Sequence, residues 1–188
     1  MRTITTVISA LMLFAYIGCG NQDESQQQSA ESQKTVSVPK VDLHSAVVLG
    51  DLEAIRQHIK AGSDLNVLEP SRASTPLITA AALGKTEAAK ILIDAGADLN
   101  YQNNDGSTAL HTAAFFCRIE IVEALLEKGA DKTLKNKTGK TAYEIVSLPF
   151  EVIKGAYDAI GAELKPTGIK LDYDRIKAAR PKIAEMLK

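Results

Sequence analysis

Thr75-Pro76-Leu77-Ile78-Thr79-Ala80-Ala81-Ala82-Leu83-Gly84 opens a unit that the chain repeats. Its first three residues return as Thr108-Ala109-Leu110 and again as Thr141-Ala142-Tyr143, at the same offset each time. Gly96-Ala97-Asp98 returns at that offset too, as Gly129-Ala130-Asp131. Upstream, Gly62-Ser63-Asp64-Leu65-Asn66 precedes Gly96-Ala97-Asp98-Leu99-Asn100 by one position more, so the first connecting loop is longer than the rest. Each part of the unit has a physical task. The Thr stands where a helix N-cap is wanted, and Pro is tolerated at the first helical position. The helix that follows is short, and its small residues let a partner helix approach closely. Gly84 then ends it, as a left-handed terminus prefers. A second helix, 86–95, places Ala89, Leu92 and Ile93 on its inner side, and Gly96 ends it. One such unit cannot bury its apolar face alone; stacking neighbours does so.

A 33-residue period carrying a T-P-L-H-x-A type motif resembles the ankyrin-repeat family. The resemblance implies an all-α ankyrin-repeat solenoid of about four helix-turn-helix repeats, with an extra helical C-terminal insert or cap. The repeats occupy 41–147: the first at 41–71, with Asp42-Leu43-His44-Ser45-Ala46 as a degenerate motif, then 72–102 and 103–135. The fourth opens at Asn136 with Thr138-Gly139-Lys140-Thr141-Ala142-Tyr143, and Pro149 breaks its pattern. Two arrangements of 148–188 remain open. Phe150-Glu151-Val152-Ile153-Lys154 supplies the second helix of repeat four, with the remainder an added cap. Alternatively Pro181-Lys182-Ile183-Ala184-Glu185-Met186-Leu187 supplies it after an insertion, because its pattern resembles Ile121-Val122-Glu123-Ala124-Leu125. Pro166-Thr167-Gly168 marks a turn inside that insertion, and Asp172 reads as the N-cap of a further short helix.

The balance of 22 basic and 23 acidic residues, with no basic stripe, speaks against nucleic-acid binding. Two cysteines, Cys19 and Cys117, make no disulfide framework. The first residues differ from the rest: Met1-Arg2, then an uncharged and mostly apolar run from Ile4 to Ile17. That run is too short for a transmembrane helix and reads as the core of a signal peptide, 1–18. Tyr16-Ile17-Gly18-Cys19 resembles a bacterial lipobox, although Leu is usual where Tyr16 stands. The resemblance implies cleavage before Cys19 and lipid attachment to its thiol, anchoring the chain to a membrane. Gly20 in the next position favours the outer membrane. The stretch NQDESQQQSAESQK, 21–34, has too little apolar surface to fold, so 19–40 is expected to be a flexible tether. The localisation implied is the bacterial cell envelope, with the domain facing the periplasm or the exterior.

No catalytic constellation is legible: no H-E-x-x-H, C-x-x-C or P-loop occurs. Neither a cofactor nor a metal is expected, and the expected state is a monomer. His44 and His111 fall on the motif position, where the family's His bonds backbone in the neighbouring loop; His58 reads as solvated on an outer helix. Cys117 takes the place of Gly50 and Gly84, where left-handed backbone is expected. The family binds protein partners on its concave side, through finger tips and the last positions of the first helices. Those helix positions are Val48 and Leu49, Ala82 and Leu83, then Phe115 and Phe116, an apolar file beyond the needs of the repeat. Finger residues Glu69, Arg72, Asn103, Asn104 and Lys137 would rim it. The C-terminal insert either leaves this file open or folds over it. The implied function is a membrane-anchored protein-binding scaffold or regulator that captures an unidentified protein partner. Two other readings stand beside it. One is a small-molecule binder or enzyme using Tyr157, Asp158, Glu163, Asp172, Tyr173 and Asp174 of the insert. The other is a cytosolic ankyrin adaptor.

Overall fold

The computed structural model describes residues 38–165 and 170–188. The signal peptide, Cys19 and most of the tether lie outside the described residues, as does the 166–168 turn. Nine helices and no strand occur among the described residues. They are α1 Leu43–Leu49, α2 Leu52–Lys60, α3 Pro76–Leu83, α4 Thr86–Asp94, α5 Ala109–Phe115, α6 Ile119–Glu127, α7 Ala142–Ser147, α8 Phe150–Leu164 and α9 Tyr173–Leu187.

Local chemistry starts and stops these helices. Asp42 accepts from the Ser45 N–H at 2.9 Å, and Thr75 from the Ile78 N–H at 3.3 Å. Thr108 and Thr141 open capping boxes with His111 and Glu144, so two orphan donors at each helix start are satisfied reciprocally. Gly50 and Gly84 end α1 and α3 at φ 76° and 69°. At the equivalent place after α5, Cys117 adopts φ 56°. A non-glycine residue there costs roughly 1 kcal/mol. The Cys117 side chain is buried, with Sγ 3.6 Å from the carbonyl of Ile176 on α9. Contact with the cap offsets the backbone strain.

Two rows of helices form the stack. The first helices α1, α3, α5 and α7 pack in order. The second helices α2, α4 and α6 pack beside them, and α9 follows α6 while also packing on α7. Ala46, Ala80, Ala81, Ala113 and Ala114 are fully buried, which is why the rows pack so closely. Leu92, Leu125 and Ile183 lie on the second row, all fully buried. So α9 stands to α7 as α6 stands to α5, and α8 joins neither row.

Two expectations require correction. The segment from Asp172 onward is one helix, α9, which runs through Pro181, in place of a short helix followed by a new one at Pro181. Proline removes one backbone donor. The helix continues because Ile176, Ala179, Arg180, Ile183 and Leu187 form one unbroken buried stripe. His58, expected in solvent, is buried: its Nε2 donates to the Val41 carbonyl at 2.7 Å and its Nδ1 meets the Ser63 hydroxyl at 3.0 Å. It aligns with Leu92 of the next unit, so it occupies a core position of the repeat.

Candidate functional site

The apolar file along the ends of the first helices is divided in two. At its start, Val48 is 48% and Leu49 71% exposed on the last turn of α1. Leu83 is half-buried at the end of α3. At the far end, Phe115 and Phe116 are half-buried and pack edge to face at 5.0 Å between ring centroids. There α8 closes over Phe115. The Tyr157 ring lies 4.5 Å from that of Phe115, and its hydroxyl donates to the Phe115 carbonyl at 2.6 Å. Tyr157 has no exposed surface at all. Phe150 and Tyr173 complete the aromatic group, each within 6.2 Å of Tyr157. Burial pushes the Tyr157 hydroxyl up to about 12, so it remains a proton donor at any physiological pH.

The finger residues also divide. Arg72, Asn104 and Lys137 are exposed. Glu69 and Asn103 instead organise their own loops. Asn103 Oδ1 accepts from the N–H groups of Asp105 and Ser107, both at 3.0 Å. Asn136 does the same for Thr138 and Lys140 in the next finger. Glu69 holds this position in the first finger, where the loop is longer. Its longer side chain reaches the N–H groups of Ser71, Arg72 and Ser74 at 2.8, 2.7 and 3.2 Å. The Ser71 hydroxyl above all, helped by these N–H groups, holds the Glu69 carboxyl down at about 2. Neighbouring fingers are joined by backbone: Asn104 N–H donates to Arg72 at 2.9 Å, and Lys137 N–H to Asp105 at 3.0 Å. The motif histidines join the same lattice, His44 donating to Val67 at 2.8 Å and His111 to Lys140 at 3.1 Å.

A feature that pattern reading missed is a set of three arginines at the ends of the first helices. Arg118 Nη2 donates to the Ala82 carbonyl at the end of α3, at 3.2 Å. Arg175 donates to the carbonyls of Cys117 and Phe116 at the end of α5, at 3.0 and 3.4 Å. Buried Arg180 donates to Ile145 at 3.1 Å, to Leu148, and to the Tyr157 hydroxyl at 3.2 Å, at the end of α7. Each guanidinium thus satisfies orphan carbonyls at the negative end of a helix. Burial, followed by the Arg175 charge, pulls Arg118 below its ordinary value. The same three charges oppose the burial that pushes the Cys117 thiol up. Only the alignment of Arg118 with Lys85 of the preceding repeat gave any sequence signal; Arg175 and Arg180 come from the insert side, outside the period.

The polar residues of the insert serve its own packing. Asp158 accepts from Lys154 and from the Tyr173 hydroxyl, both at 2.7 Å, and Asp172 caps α9 through the Arg175 N–H at 3.0 Å. Asp174 is exposed in the first turn of α9, and the Glu163 side chain lies outside the described residues. No three described His, Cys, Asp or Glu side chains are grouped to hold a metal ion. The described residues also include no helix long and apolar enough to cross a membrane. A family model described as ankyrin repeats (3 copies) matches residues 43–136. No curated protein matches the chain.

Proposed function

This chain belongs to the ankyrin-repeat family, and on that premise we propose that it is a scaffold that captures a segment of a partner protein on the open half of its inner face. The observation that carries this reading is the exposure of Val48 and Leu49, two large apolar side chains at the end of α1. Val67 and Leu68 on the first finger are exposed as well. Apolar surface of this kind marks protein contact sites, and anchors of this size dominate interface energies. Arg72, Asn104 and Lys137 supply the polar rim, while Glu69 and Asn103 hold the loops that present it. Leu83 continues the file towards Phe115 and Phe116, whose half-buried edges form its border.

A photo-crosslinking amino acid at position 49 tests the reading, with position 56 on the outer helix as control. Adducts with one protein are expected from position 49 alone, and Leu49→Asp should remove that protein while preserving the far-UV spectrum. Equal adducts from both positions, or capture undiminished by Leu49→Asp, would sink the reading.

We further propose that the scaffold acts as a monomer lipid-anchored to a membrane of the bacterial envelope through Cys19. Gly18-Cys19 and the polar stretch 21–34 support this. Two or three acyl chains give stable attachment where one does not. Mass spectrometry of the mature N-terminus is the test, and a free thiol at Cys19 would leave the anchor without foundation. Light scattering checks the monomer.

A further inference from the structure

Arg118 bonds the end of α3, Arg175 bonds the end of the neighbouring α5 through the carbonyl of Cys117, the residue before Arg118, and neither makes an ion pair with a described carboxylate. Their helix-end carbonyls use one donor of Arg118 and two of Arg175, out of five on each guanidinium. Arg118 Nε is the one buried side-chain nitrogen or oxygen without a hydrogen-bond partner among the described residues. Its guanidinium lies directly over Gly84, where a Cβ would come within 2.5 Å of Cζ. Glycine therefore leaves the space that this arginine occupies. Arg175 is exposed. Lys85 takes the place of Arg118 in the preceding repeat, with Nζ 3.5 Å from the corresponding Cβ position on Gly50. A basic row therefore follows the helix ends beside Leu83 and Phe116. Like charges at neighbouring helix ends repel, and an unpartnered buried donor adds to that cost. A carboxylate removes both deficits, because its two oxygens match the fork of a guanidinium.

We propose that Arg118 and Arg175 form a carboxylate-binding subsite that reads an acidic residue in the partner segment held on the inner face. The proposal rests on the protein-binding reading of that face. It predicts a partner segment that combines apolar anchors for Val48, Leu49 and Leu83 with an acidic residue placed for the arginines.

The test uses the full chain and three fluorescein-labelled peptides. The first alternates Glu and Leu with an amidated end, the second alternates Gln and Leu with an amidated end, and the third alternates Gln and Leu with a free terminal carboxylate. The amidated Glu peptide should bind, weaken with added salt, and shift the Arg118 Nε–H resonance. Arg175→Gln should weaken it about tenfold, the scale of one charge-assisted pair. Arg175→Lys should recover only part, because lysine lacks the fork. Arg175 is exposed, but its replacement also removes bonds to the Cys117 and Phe116 carbonyls, so melting curves are recorded for Arg175→Gln and for the second variant, Arg118→Gln. Binding of the third peptide together with the first shows that a chain terminus also serves as the carboxylate. Equal binding of the amidated Glu and Gln peptides, no binding of any peptide, or an Arg175→Gln variant that binds as the parent does would overturn the subsite. Arg175-dependent binding to phosphatidylglycerol vesicles without peptide binding would also overturn it, in favour of a lipid headgroup. Leu49→Asp separates the two readings. If it weakens both amidated peptides while the arginine variants do nothing, the subsite fails and the scaffold reading stands. If the arginine variants act and Leu49→Asp does not, the scaffold surface is the part that fails.

Discussion

The two ends of the inner-helix file are built from the same repeat and finished differently. At the α1 end, Val48 and Leu49 reach solvent. At the α5 end, Phe115 meets an aromatic group from α8 and α9, and Phe116 packs against Phe115. The repeat itself places a large apolar residue at each of these positions and does not cover it. Cover at one end comes from a segment inserted between the two helices of the last repeat. The solenoid thus sets where an apolar surface lies, while an addition outside the period decides how much of it stays open.

The lidded end is where a single change should cost most. Tyr157→Ala removes a fully buried ring and leaves Arg180 short of one acceptor; the expected loss is about 3–5 kcal/mol. Tyr157→Phe keeps the ring and loses only the hydroxyl bonds, for about 1–3 kcal/mol. Urea unfolding followed by circular dichroism measures both. A Tyr157→Ala variant as stable as the parent would show that α8 is an ornament on the stack and contributes nothing to closing its end.

The same substitution placed at each end sharpens the contrast. Phe116→Asp should cost about 1–2 kcal/mol, because it withdraws a half-buried ring from Phe115. Leu49→Asp should change stability by less than about 0.5 kcal/mol, as exposed substitutions do. Equal losses at the two positions would abolish the distinction between open and covered halves.

The helix ends offer a smaller effect. Gly84→Ala imposes left-handed strain and displaces Arg118, and roughly 1–2 kcal/mol should be lost. Cys117→Gly relieves the same strain but removes the contact with α9, so its net effect should stay within about 1 kcal/mol. Thermal melting of the pair decides this. A large loss for Cys117→Gly would mean that the thiol contributes more to seating α9 than the backbone geometry costs.

The smallest effect is a pH dependence. Burial lowers the pKa of His111, whose Nδ1 accepts from the Thr108 N–H at 3.3 Å. The unfolded chain then binds a proton at higher pH than the folded chain. Stability from this group is complete above about 6.5 and declines as pH falls below that value towards the lowered folded value. Melting temperatures between pH 7.5 and 5.5 should fall, and His111→Gln should flatten the slope. A rise in melting temperature over that range would contradict the neutral, hydrogen-bonded imidazole.

Much of this was written locally. Thr75, Thr108 and Thr141 announce helix starts because a hydroxyl before an apolar run has one good use there. Gly50 and Gly84 announce stops, and their alignment with Cys117 foretold its left-handed backbone. The period placed Val48 and Leu49 at the last positions of the first helix, and both are exposed there. His58 was legible in principle, because it aligns with buried Leu92 of the next repeat, but its polarity hid it. The candidate site was harder to read. Glu69 and Asn103 sit on the fingers as the pattern requires, yet their side chains turn back to their own loops. That outcome depends on loop length and hydrogen-bond geometry, which composition does not carry.

The sequence by itself determined the repeat, its caps and the all-helical stack, because each of these depends on residues a few positions apart and on a period that reinforces itself. Only the tertiary structure decided that α9 completes the second row, that Tyr157 roofs Phe115, and that Arg175 and Arg180 reach the ends of α5 and α7. Those contacts join residues 23 to 59 positions apart through a segment with no period. Their energy comes from burial and from carbonyls left open at helix ends, and both exist only once the stack has formed.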